Sequence, residues 1–305
     1  MNNTKKKSPI SWVPTAYFAM GLPFVVLNMV TVLMFKGLEV DDKLITFWTS
    51  LILLPWTLKP LWSPFLELFR TKKFFVIVTQ LITGVTFGLV AFALNLSHFF
   101  SISIALLAIV AFSGATHDIA CDGVYMSELS NEDQARFIGW QGAFYNIAKI
   151  LATGGLVYLA GYFIELNADA GLLTANKRAW MIILLILSVT MILLGIYHLF
   201  ALPSTQSASS RKTLRSNKEV MKELGQVLMD FFRKTHITYY ICFIILYRFA
   251  EGFVMKIVPL FLKADRRWAD WDSMKRKSDF IMVRTELRLL CWVLCWQDII
   301  LPVGD

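Results

Sequence analysis

Charge is scarce in this 305-residue chain: Asp, Glu, Lys and Arg together make up 17% of it, against about 25% in an ordinary soluble domain. Hydrophobic residues reach 56% and the mean hydropathy is +0.57, above the roughly 45–50% apolar content of soluble proteins. A water-coated globule is excluded, and an all-α integral membrane protein is expected. Cysteine is also sparse. Cys121 and Cys242 lie in apolar helices, and Cys291 with Cys295 forms a C-x-x-x-C pair without the second ligand pair that zinc requires. No disulfide, metal or other cofactor is expected. The chain has no H-E-x-x-H, no phosphate-binding loop and no Ser/His/Asp pattern, and His117-Asp118 is only a dipeptide. An enzyme is therefore not the expected class, and no catalytic residue is assigned. Nor is there a secretory signal, because Met1 to Ser8 leads straight into a segment too long for a signal h-region.

Long apolar runs fill the rest. A bilayer-crossing helix needs about 20 mostly apolar residues, and seven stretches meet that need: Trp12 to Phe35, Phe47 to Leu66, Phe74 to Leu94, Phe99 to Ala120, Ile138 to Ile164, Trp180 to Leu202 and Ile237 to Phe261. The net charge of +8 raises the question of nucleic acid, but its distribution answers it. Lys5 to Lys7 precede the first run, Arg70, Lys72 and Lys73 follow the second, and Arg211, Lys212, Arg215, Lys218, Lys222, Arg233 and Lys234 lie between the sixth and seventh. All three clusters fall on one side if the N-terminus is cytoplasmic, the positive-inside arrangement. The lipid bilayer, not nucleic acid, is the expected partner.

Four regions follow from this pattern. Residues 1–202 read as a six-helix transmembrane bundle, 203–236 as a cytoplasmic linker, 237–262 as a seventh transmembrane helix and 263–305 as an irregular tail. Within the linker, Val220, Met221, Leu224, Val227, Leu228, Phe231 and Phe232 recur at helical spacing among charges. That pattern fits an amphipathic helix on the membrane surface and equally a solvated connector with one apolar stripe.

The apolar stretch from Ile102 to Gly123, which overlaps the fourth run, closes on His117-Asp118-Ile119-Ala120-Cys121-Asp122-Gly123. A carboxylate inside a membrane helix costs about 2.5–3.5 kcal/mol on insertion scales, so two of them need a partner, a wet cavity or a function. Asp118 and Asp122 are four residues apart and share one helix face, whereas His117 points about 100° away. A carboxylate pair resists its second ionisation, which suits proton uptake and release; the alternative is a structural polar cluster. Lys149 is a candidate partner or a snorkelling side chain, and Arg248 with Glu251 is a local ion pair or a solute contact. Lys59, Glu67 and His198 lie near run ends, where snorkelling is the default expectation. Gly21-Leu22-Pro23 and Pro55, Pro60 and Pro64 are expected to break or bend helices. Gly84 with Gly88, and Gly139, Gly142, Gly154 and Gly155, are expected to permit close helix packing.

These residues resemble a known family. Six helices, a basic linker and the start of a second half resemble the major facilitator superfamily. Within it, Gly21-Leu22-Pro23, Trp62-Ser63-Pro64-Phe65-Leu66-Glu67, His117-Asp118-Ile119-Ala120-Cys121-Asp122 and Leu246-Tyr247-Arg248-Phe249-Ala250-Glu251 resemble AmpG-type muropeptide permeases. The resemblance runs from about Ser11 to Asp265, and it implies proton symport of anhydro-muropeptides across the inner membrane of Gram-negative bacteria. It also implies that Glu67 and Arg70, and Glu128 and Arg136, belong to loops that lock the inward side. His117 stands where the family usually has Gln, and Glu67 where it usually has Asp. A carrier of acetyl-coenzyme A or another solute would share most of these features, and an embedded interaction subunit is the alternative outside transport.

The family pattern calls for five or more helices after the seventh, so a truncated chain, inactive alone, is the expectation. A frameshift near Arg267 fits it: permitted codons for Trp268 to Gly304, read from two nucleotides into the first, give a loop, an apolar helix and a basic turn. The alternative is a native tail on the membrane surface, which Trp268, Trp271, Trp292 and Trp296 mixed with Arg and Lys would suit.

Overall fold

The computed structural model describes residues 7–69 and 71–203, together with positions 229, 233, 236–239, 242 and 243. The amphipathic stretch around Lys218, the expected helix at 237–262 with Arg248 and Glu251, the tail at 263–305 and Arg70 lie wholly or mostly outside these residues.

Among the described residues the chain is helical and contains no strand. Among the described residues, five helices are long and apolar enough to cross a membrane. They are α1 (Pro9–Gly37), α3 (Lys72–Ala93), α4 (Phe99–Glu128), α5 (Asn131–Leu166) and α6 (Leu172–Ala201). Between α1 and α3, α2 is made of two segments, Asp42–Ile52 and Leu54–Phe69. The second run, expected as one span from Phe47 to Leu66 with prolines that break or bend it, is thus a broken helix. The break sits at Leu53, two residues before Pro55, whose ring displaces the carbonyl four residues back and which has no N–H to donate. Pro23 acts differently: α1 passes through it without ending and relaxes into a π turn at Val26–Val30. A second π turn, Leu151–Leu156 in α5, packs against the first.

Side chains close the helix starts. Asp41 accepts from the Lys43 and Leu44 amides at the head of α2, Thr71 accepts from the Phe74 amide at the head of α3, and Ser130 accepts from the Asp133 amide at the head of α5. The α4–α5 turn is tied further by Gln134, whose amide donates to the carbonyls of Met126 and Leu129.

Helix α3 lies between α4 and α6, while α1 packs on α5 and also meets α4 and α6. Apolar faces do not drive such pairings in lipid, so close approach and interhelical hydrogen bonds must. At Gly84 a Cβ would stand 2.7 Å from Ile192 Cγ1 and 3.0 Å from the Ser188 carbonyl oxygen, so only glycine lets α3 and α6 approach this far. Thr83 donates to Ser113, which donates to the Thr79 carbonyl, pinning α3 to α4. On α5 the expectation fails for Gly139 and Gly142: both face open space, with nothing within 4 Å of a Cβ placed there. At one end of the bundle Lys73 donates to the Leu202 carbonyl and Tyr197 to the Ser11 carbonyl, so the starts of α1 and α3 meet the end of α6.

Candidate functional site

The second half of α4 carries the site because this helix does not stop at Ala120. It runs two further turns to Glu128, which places Asp118 and Asp122 inside the bundle rather than at its rim. Small residues make room on the facing side: a Cβ at Gly114 would meet the Trp56 ring at 2.9 Å. Trp56 therefore lies against α4, with Lys59 one turn further along α2.

Lys59 Nζ stands 2.6 Å from Asp118 Oδ2, and Trp56 Nε1 donates to the same oxygen at 2.9 Å. Asp118 is 7% exposed, and its Oδ1 has no hydrogen-bond partner among the described residues. One oxygen thus carries the ammonium and the indole while the other is buried and bare. One turn on, Asp122 accepts the Tyr17 hydroxyl of α1 at 2.8 Å. The two carboxylates share a face, as the spacing predicts, but hold different helices: α2 through Asp118 and α1 through Asp122.

Lys149 does not fill the expected partner role. Lys59 occupies it, and Lys149 sits half-buried on α5, where its carbonyl accepts the Thr153 hydroxyl. Lys59 is accordingly corrected from a snorkelling side chain to an ion-pair partner. His198 is corrected in the same way: it is fully buried and hydrogen-bonded to Gln80 and Thr15. His117, 3% exposed, turns away from the carboxylate face to Gln80, with 3.0 Å between its Nε2 and the Gln80 Nε2.

The loop residues are less connected. Glu128 closes α4 and Arg136 lies on the exposed side of α5 over the neighbouring Phe137 ring. Neither Glu128 nor Arg136 takes part in the ion pairs found among the described residues, Lys36–Asp42 and Lys59–Asp118 being two of those pairs. Glu67 is on the second segment of α2. No group of three metal-ligating side chains occurs among the described residues.

Lys59, Trp56, Tyr17, Gln80 and His198 were not singled out as site residues by sequence reasoning. Gln80 offered a signal, as the one carboxamide inside the apolar run of α3. Lys59 and Trp56 offered another, one helical turn apart in a run otherwise poor in charge. No family model matches this chain, and no curated protein matches it either.

Proposed function

We propose that this chain contributes the first six-helix half of a secondary active transporter of the major facilitator type, which imports muropeptide-like solutes with protons across the inner membrane with its N-terminus cytoplasmic, and that the chain is not a transporter by itself. The supporting observation is the Lys59–Asp118 pair with its bare Oδ1. An ion pair whose carboxylate is buried contributes little net stability, because desolvation of that end offsets the Coulomb gain. Ionisable groups at membrane depth mark ion and solute pathways by default. Ionised, Asp118 holds the Lys59 ammonium and the Trp56 indole, and with them α2. A proton arriving at Oδ1 removes the charge that binds Lys59, so α2 is released from α4 and the two arrangements differ in free energy by the lost pairing. Asp122, held by Tyr17, ties α1 to the same face. Rocking of one bundle against another converts such a release into alternating access.

The muropeptide assignment rests on the motif resemblance, and an acyl-coenzyme A is the competing cargo. The test is uptake of a labelled anhydro-muropeptide, under an inward proton gradient, by vesicles holding this bundle joined in frame to a second six-helix half. Gradient-dependent accumulation that is lost in Asp118→Asn supports the reading. Accumulation unchanged by Asp118→Asn with Asp122→Asn would remove the carboxylates from the mechanism and leave them a structural cluster.

A further inference from the structure

A second buried polar chain runs on the other side of α4 and involves neither carboxylate. His117 of α4 meets Gln80 of α3 at 3.0 Å, Gln80 Oε1 meets His198 Nδ1 of α6 at 2.9 Å, and His198 Nε2 meets Thr15 Oγ1 of α1 at 2.9 Å. Thr15 Oγ1 also lies 3.2 Å from the Trp12 carbonyl. Gln80 and His198 are completely buried, and His117 Nδ1 at the far end has no partner among the described residues.

A carboxamide has one acceptor and one donor end, so the two nitrogens facing it must be of opposite character: one N–H and one lone pair. With Oε1 towards His198, His198 Nδ1 donates and His117 Nε2 accepts. Neutral rings then both carry hydrogen on Nδ1, and Thr15 donates to His198 Nε2. Rotating the amide by 180° reverses every bond: both rings carry hydrogen on Nε2, and Thr15 accepts from His198 while donating to Trp12. Mixed tautomers set two donors or two lone pairs against the amide. An added proton fits on His198 in the first arrangement, where Nε2–H donates to Thr15, and on His117 in the second. It fits on both in neither.

We infer that Gln80 joins His117 and His198 into one buried site for a single exchangeable proton, selected between the rings by the orientation of its amide. Among the titratable groups on the surrounding helices are Tyr17 of α1, Lys59 of α2, Lys73 of α3, Asp118, Cys121, Asp122 and Tyr125 of α4, and Tyr197 of α6. Lys59 is paired with Asp118, Tyr17 with Asp122, and Lys73 with the Leu202 carbonyl, so neither ring has a carboxylate partner among the described residues. The site is independent of the transport reading, since a proton is its only ligand and no solute enters the argument.

The chain has only four histidines, which makes ring nitrogen spectroscopy decisive. The full chain, labelled with ring-15N histidine and held in lipid nanodiscs, is titrated with acid, with His98→Gln and His236→Gln identifying the other two rings. The expected result is matched tautomers at neutral pH, both Nδ1–H or both Nε2–H, and uptake of one proton by the pair, with the second needing at least tenfold more acid. Gln80→Glu supplies two acceptor oxygens, so both rings are expected to become doubly protonated where the unaltered pair holds one proton. Mixed tautomers in the unaltered chain, or two rings protonating together, would overturn the proposal. If Gln80→Glu does not fold, the tautomer match in the unaltered chain decides alone.

Discussion

Two polar clusters flank α4, and they are built on opposite terms. On one side Asp118, Lys59, Trp56, Asp122 and Tyr17 concentrate charge, with Asp118 Oδ1 left bare. On the other, His117, Gln80, His198 and Thr15 form a neutral chain in which every bond has a matching donor and acceptor. Losing one member of a charged pair strands a buried charge, whereas losing one member of a neutral chain strands a dipole. The first arrangement is therefore the more responsive to a proton and the more fragile to substitution.

The largest break in that comparison is Lys59→Met, which leaves the Asp118 carboxylate without its counter-charge. A loss of about 3–5 kcal/mol is expected, read as a fall in unfolding midpoint in lipid or detergent, with substantial recovery in Lys59→Met/Asp118→Asn. Equal stability of the single and double variants would show that the charge, once stranded, costs nothing. A smaller effect, about 1–3 kcal/mol from overpacking, is expected for Gly84→Val, because the Ser188 and Ile192 backbone lies against that position. This variant should separate α3 from α6 and disturb the Gln80–His198 bond while sparing Lys59–Asp118. Ring nitrogen shifts of His198 unchanged by it would contradict the packing account. Thr15→Val strands the buried His198 Nε2, for which about 1–3 kcal/mol is expected, and it should leave solute uptake intact if the two clusters work separately.

Much of the bundle was legible because a membrane helix announces itself by length and apolarity: the runs beginning near Trp12, Phe74, Phe99, Ile138 and Trp180 all became helices. Their ends were not, since a helix leaving the bilayer needs no apolar residues. Thus α5 begins at Asn131, seven residues before its apolar run, where Ser130 caps it, and α4 continues to Glu128. The cost of burying Asp118 and Asp122 singled them out, but their partners lie 59 and 105 residues away in sequence, and no local period encodes that distance. Proximity to a run end made Lys59 and His198 read as snorkelling; in the bundle, the neighbours on α1, α3 and α4 reach them first.

The account depends most directly on Asp118 taking the proton. Infrared difference spectra of the reconstituted chain between neutral and acidic pH test this without any solute. Exposed carboxylates protonate in every variant, so the account predicts a difference: one protonated-carboxyl component that is present in the unaltered chain and in Asp122→Asn but missing in Asp118→Asn. Spectra of the unaltered chain and of Asp118→Asn that superimpose would contradict it.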